Sequence, residues 1–305
     1  MKIINCCIND WANFQHENAI ALRSVGVDCE DYKILPHQFN YASQSVILGM
    51  SDLLRKLKQA DIIQIFHTEN EIFDLLKKIN LTKKKIVVYH TGSKYRANPD
   101  KYNRIFNHGV FKTFTDQCEF FKLGAKNINY IATAIDVKKL NKFGHEVQKP
   151  YKIGHFPSNK EVKGTEKILE MLSRCNEHIL SHSSSFVSHT EQYKRMNDCD
   201  IYIELFKPEL RGKPYGCFGV TAFEASASGK VVVTQNINQN VYTDTYGECP
   251  FVICNTEEEF INNVNSVLAL PKIELAQLQT KTYEWVNRVH SYQATGKYLK
   301  SKLEI

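Results

Sequence analysis

A chain of 305 residues is longer than one hydrophobic core ordinarily sustains, so two domains are expected. With 43% hydrophobic and 24% charged residues the composition excludes intrinsic disorder, and a formal charge of +6 is too mild for a dedicated nucleic-acid binder while suiting an anionic ligand or acceptor. The longest apolar runs, such as Ile62 to Phe66 and Val231 to Val233, fall far short of the roughly 20 residues that span a bilayer, and Ile3 to Ile8 after Lys2 is too brief for a secretory signal. A cytoplasmic protein with no integral membrane segment is the expectation.

From the first residue, short β-branched runs alternate with longer amphipathic stretches, the pattern that βαβ units and parallel sheets produce. Strands are expected at Lys2 to Ile8, Cys29 to Ile34, Asp61 to Phe66, Lys85 to His90, Lys112 to Thr115 and Asn127 to Ile131, with helices between them. The pattern pauses at Gln148, Lys149 and Pro150, and a second βα series opens with a strand at Lys152 to Phe156, which divides the chain into domains 1–149 and 150–280. In the second series a helix starts at Thr165, strands lie at Ile201 to Phe206, Lys230 to Thr234 and Phe251 to Cys254, and a helix starts at Gly219. The serine-rich patch Ser181 to Ser185 reads as a loop or strand end, and helical patterns fill the remainder. The fold class is α/β.

Two segments carry chemistry. Pro157 to Thr165 lies between a buried strand and an amphipathic helix, where α/β proteins hold phosphate on free helix N–H groups, and Lys163 adds a positive charge. A solvated loop with a capped helix is the plainer alternative, because the segment is no Walker sequence. Tyr215 to Val233 runs from a loop through a helix into a buried strand and is more specific. Gly216 and Gly219 permit close approach of backbone to a ligand, and Ala225, Ser226, Ala227, Ser228 and Gly229 let the helix pack tightly on the sheet. Glu224 stands out: if it is buried it needs a bonded partner, for which a ribose would serve, and otherwise it is an exposed helix glutamate.

Three stretches together resemble the retaining GT-B glycosyltransferases of the group 1, or family 4, type. Pro157 to Thr165 is similar to the family's strand-to-helix turn ending in Lys-Gly, Gly216 to Val233 to its block around Glu-Ala, and Tyr89 to Arg96 (YHTGSKYR) to its N-domain loop. The resemblance implies two Rossmann-like domains facing across a cleft, the first on the acceptor side and the second binding the nucleotide sugar, with helices over 281–305 returning to the first. It implies donor pyrophosphate contacts from Lys163 and from the main chain of Gly219, Val220 and Thr221, with Ser158 and Asn159 standing where relatives carry a basic residue. It further implies that Glu224 takes the ribose and that His90 acts beside the donor sugar. Arg96 and Asp10 are the acceptor-side candidates. The sequence departs from the family at Thr91, which separates His90 from the Gly-Ser pair, and at Gly216, where relatives have a first glutamate.

The function implied is transfer of a sugar, with retention, from a nucleotide-sugar substrate to a hydroxyl of a glycan or lipid-linked glycan, without cofactor or metal. No C-x-x-C pair or Cys/His zinc spacing occurs, and no G-x-G-x-x-G follows the first strand, which argues against a nicotinamide or flavin enzyme. Asp198-Cys199-Asp200 has the form of a metal-binding D-x-D, but its place before an apolar strand suits an Asp that satisfies backbone N–H groups. Three other readings stay open: a glycosyltransferase acting on hydroxylated bases of DNA, as in phages, a sugar-nucleotide epimerase, and a non-catalytic sugar-nucleotide-binding protein. The oligomeric state is not readable.

Overall fold

The computed structural model describes residues 1–37, 39–139 and 146–305. The chain forms two compact units, one built from Met1–Ala134 and His290–Ile305, the other from Ile135–Val289. The first unit thus ends ahead of the sequence pause at 148–150, and the chain re-enters it at His290.

Unit 1 is a seven-stranded parallel sheet of β1 (Lys2–Cys7), β2 (Asp28–Lys33), β3 (Val46–Ile47), β4 (Ile62–Ile65), β5 (Lys85–Tyr89), β6 (Lys112–Thr115) and β7 (Ile128–Tyr130), in the order β3-β2-β1-β4-β5-β6-β7. Parallel strands covered on both faces lose the alternation of apolar and polar residues, and β1 and β4 are buried almost throughout. Side chains still alternate between two apolar layers. Ile4, Cys6, Ile63 and Ile65 pack with Leu53 and Leu57 on one face, and Ile3, Cys7, Ile62, Phe66 and Tyr89 with Phe14, Leu22, Leu299 and Leu303 on the other. The second layer needs the helix Tyr292–Leu303 against the helix Phe14–Ser24. Gly296 makes that possible, because a Cβ there would overlap the carbonyl oxygen of Ala21.

Unit 2 carries a five-stranded parallel sheet of β8 (Lys152–His155), β9 (Ile179–His182), β10 (Ile201–Ile203), β13 (Val231–Thr234) and β14 (Val252–Ile253), in the order β14-β13-β10-β8-β9. A two-stranded hairpin, β11 (Glu209–Leu210) with β12 (Lys213–Pro214), stands apart from the sheet. Its core joins Ile153, Ile201, Ile203, Val231 and Val233 to Ile168, Met171, Phe260 and Val264.

The expected strands are present: Lys112 to Thr115 as expected, the strand expected at Cys29 to Ile34 shifted by one residue to Asp28–Lys33, and the others shortened by a residue or more at their ends. β3 and β9 escaped the pattern for one reason: both are edge strands, and Val46, Ile47, Ile179 and Leu180 are exposed. The serine patch begins inside β9, and its last residues form the following loop. Among the described residues no helix is long and apolar enough to cross a membrane.

Candidate functional site

In open parallel sheets ligands bind outside the carboxyl ends of the strands, at the point where strand order reverses. Unit 2 reverses between β8 and β10, and the turn after β8 is the segment singled out in the sequence. Ser158 and Asn159 are exposed there, and Asn159 caps a single turn, Lys160–Lys163, by accepting the Val162 N–H through Oδ1 at 3.1 Å. Gly164 then bends the chain at φ +70°, and a Cβ on it would overlap the Phe206 carbonyl oxygen. That bend delivers Lys163 to the carboxyl end of β10, where its ammonium pairs with Glu204, a residue with no side-chain exposure. Burial by itself would lower the pKa of Lys163, but the Glu204 carboxylate outweighs it and holds the ammonium above its usual range. The other Glu204 oxygen accepts the Thr234 hydroxyl at 2.8 Å.

Gly219 precedes the helix Val220–Ala227 and provides no side-chain cap, so the first N–H groups of that helix are left for a ligand. A Cβ at Gly219 would stand 2.9 Å from the Lys163 Nζ and still closer to Glu204, so the ammonium and the helix N-terminus adjoin one another. One turn on, Glu224 is buried, with 5% exposure, which removes the exposed-glutamate alternative. Its Oε1 accepts from His189 Nε2 at 2.7 Å and from the Tyr193 hydroxyl at 3.1 Å. The small residues behind it, Ala225 to Ser228, are fully buried against the sheet. Gly216, at φ +128°, would drive a Cβ to 2.7 Å from Gln235 Cδ, so this backbone has no room for the glutamate that the family pattern places there. The aspartates of 198–200 are structural: Asp200 accepts the Lys152 N–H at 2.8 Å and Asp198 pairs with the Lys152 ammonium at 2.8 Å.

Unit 1 reverses between β1 and β4. Asp10, after β1, is fully buried, and its two oxygens accept the backbone N–H groups of Gln15 at 2.8 Å and His16 at 3.0 Å. Facing it, His67 after β4 places Nε2 3.3 Å from Asp10 Oδ1 and Nδ1 2.7 Å from the Thr91 hydroxyl. His90 ends β5 in a closed setting: it stacks on Tyr95 at 4.0 Å, has no exposure, and burial pushes its pKa down to about 3. It is a neutral imidazole. Arg96 is engaged within unit 1, by Glu119 at 2.6 Å, Gln117 at 3.0 Å and the Phe120 ring at 5.1 Å.

The structure therefore gathers Lys163, Gly219, Val220, Thr221 and Glu224 in one unit, and Asp10, His90 and Arg96 in the other. Sequence reasoning overlooked Glu204, His189 and His67. A lone acid inside the apolar run Ile201 to Phe206 was a usable signal for Glu204, whereas His189 lies 35 residues from Glu224 with nothing in the intervening sequence to link them.

No protein-family model and no curated protein matches the chain. Among solved structures it is similar to Anabaena HepE in complex with UDP-glucose, with a TM-score of 0.68 at 11% identity over 100% of both chains. It is similar also to the sucrose-phosphate synthase of Thermosynechococcus elongatus, with a TM-score of 0.67 at 10% identity over 100% of this chain and 98% of that one. A third likeness is to AviGT4, a glycosyltransferase involved in avilamycin A biosynthesis, with a TM-score of 0.63 at 10% identity over 100% and 97%. The fold is α/β, with parallel sheets of seven and five strands that match GT-B glycosyltransferase structures along their full length.

Proposed function

We infer that the protein is a glycosyltransferase that moves a sugar from a nucleoside diphosphate sugar to a hydroxyl acceptor, with retention and without a metal at the diphosphate. The observation that carries this reading is the convergence, at the switch point of unit 2, of a partly buried ammonium, an uncapped helix N-terminus and a buried carboxylate. Lys163 and the N–H groups of Val220 and Thr221 suit the diphosphate, with Ser158 and Asn159 at its rim, and Glu224 suits the ribose diol. Similarity to a protein solved with UDP-glucose makes a uridine nucleotide the first donor to try.

Chemically, departure of the diphosphate leaves oxocarbenium character on the sugar and a growing negative charge on the leaving oxygen. A fixed ammonium and a helix dipole answer that charge without reorganising. Glu204 contributes by keeping Lys163 protonated in a desolvated place. The leaving phosphate itself takes the acceptor proton in this scheme, and His90 contributes only as a neutral hydrogen-bonding group. The acceptor, a glycan or lipid-linked glycan, is assigned to unit 1, with Asp10 and Arg96 as its candidates.

Thermal unfolding with UDP, GDP, ADP and dTDP and their common sugar conjugates tests the reading. A ligand at a hundred times its Kd stabilises by about 2.7 kcal/mol, a shift of a few degrees for a domain of this size. One nucleotide family should produce that shift, and its sugar conjugate should then be turned over. No shift across the panel would overturn the donor site, and a shift without turnover would leave a binding protein.

A further inference from the structure

The crevice at the switch point of unit 1 contains more than an acceptor platform requires. Cys7 at the end of β1, Asp10 on the turn after it and His67 on the turn after β4 are all buried, and their sulfur, oxygen and nitrogen atoms lie within 4.8 Å of one another. We propose that Cys7, Asp10 and His67 form a binding site for one divalent transition-metal ion of the zinc type. All three donors belong to unit 1, so the inference does not depend on the diphosphate site.

The donor set is what such an ion prefers: a thiolate, an imidazole and a carboxylate, three protein ligands with a position left for a further donor. Two ligand atoms bound to a tetrahedral ion at about 2.0–2.1 Å stand about 3.3 Å apart. The His67 Nε2 to Asp10 Oδ1 distance is 3.3 Å, long for a charged hydrogen bond and right for two corners of a coordination shell. The outer contacts match as well. Metal-bound histidines donate their second N–H to an oxygen, and His67 Nδ1 has the Thr91 hydroxyl at 2.7 Å. Both Asp10 oxygens are fixed by backbone N–H groups. His37, 5% exposed, has an Nε2 with no hydrogen-bond partner among the described residues, and it lies within electrostatic range of Asp10 and His67.

The backbone is also bent to make the arrangement. Ala12 and Asn13 after β1 are left-handed at φ +57° each, and His67 and Thr68 after β4 at +65° and +59°. Each such residue costs roughly 1–2 kcal/mol, and strain of this kind collects at functional sites. Lys33 is close enough to influence both Cys7 and Asp10, so a cation binds here only with the negative charges of a thiolate and a carboxylate to offset its own. Binding therefore releases the Cys7 thiol proton to solvent.

Cobalt is the probe. The full chain, stripped by chelator dialysis, is titrated with Co²⁺ and followed by absorption. The expected result is saturation at a single Co²⁺ per chain, with a thiolate-to-cobalt charge-transfer band in the near ultraviolet and visible bands of four-coordinate intensity, all bleached by Zn²⁺. Cys7→Ser should abolish the charge-transfer band, and Cys29→Ser, a buried thiol on the neighbouring strand, should keep it. Absence of the band in wild-type protein at excess Co²⁺, or its survival in Cys7→Ser, overturns the site. Should Cys7→Ser fail to fold, His67→Gln decides: Co²⁺ affinity at least ~10-fold weaker supports the site, and unchanged affinity overturns it.

Discussion

Glu204 has no contact with water, and a carboxylate so placed is tolerated only with a cation beside it. Lys163 accordingly has two tasks, balancing Glu204 and meeting phosphate, and a single substitution disturbs both. Lys163→Ala should destabilise the fold by about 3 kcal/mol, measured by chemical denaturation, and lower nucleoside diphosphate affinity by roughly 10- to 100-fold in titration calorimetry. Lys163→Met combined with Glu204→Gln separates the tasks: stability should largely return while the affinity stays lost. If affinity returned too, Lys163 would not be a phosphate ligand. Glu224 is likewise engaged before any ribose arrives, by His189 and Tyr193. Glu224→Ala should weaken nucleotide binding by about 1–3 kcal/mol, and equal affinity in the variant would remove Glu224 from the site.

At the scale of elements, both sheets pair a buried acid with a basic side chain across the two turns flanking the switch point, Asp10 with His67 and Glu204 with the partly buried Lys163. In unit 2 the geometry hangs on Gly164, whose left-handed bend aims Lys163 at β10. Gly164→Ala should cost at least about 2 kcal/mol and abolish nucleotide-dependent stabilisation, checked by thermal unfolding with and without ligand. This turn was legible in the sequence because a Lys-Gly pair between a buried strand and an amphipathic helix has few other uses. The corresponding turn in unit 1 was not: His67 and Thr68 adopt left-handed backbone that their residue types do not announce, so only the assembled sheet shows His67 facing Asp10. At His90 the local sequence hides the packing instead. A histidine ending a strand beside Gly92-Ser93 reads as a site residue, and nothing local shows that Tyr95 will cover its ring. The strand pattern itself was readable wherever both faces are buried and failed at β3 and β9, whose apolar residues face solvent.

Across the whole molecule, burial keeps several imidazoles neutral. His37 and His155 are pushed down to about 4 and His90 to about 3. Their unfolded forms take up protons near 6.5, so the unfolded state binds more protons as pH falls below that value, and stability declines from there toward pH 4. Each group adds a slope of up to about 1.4 kcal/mol per pH unit. His290 is likewise held down to about 3 by burial; Asp116, which burial raises to about 6, and Glu69, which burial also raises, work the other way, but two carboxylates do not offset four imidazoles. The denaturant midpoint should therefore fall between pH 7 and pH 5, and a flat profile would contradict the buried, neutral assignment.

The Gly296 crossing on Ala21 has a consequence for how the protein is made. Unit 1 is assembled from two separated stretches of sequence, with all of unit 2 emerging from the ribosome between them. Until residues 290–305 have been synthesised, the helix Phe14–Ser24 lacks the neighbour that Leu299 and Leu303 provide, and its apolar side remains open to nascent-chain aggregation or chaperone capture. Unit 2, contiguous in sequence, is free to fold first, so the unit whose first stretch is synthesised earlier is the later one to be completed.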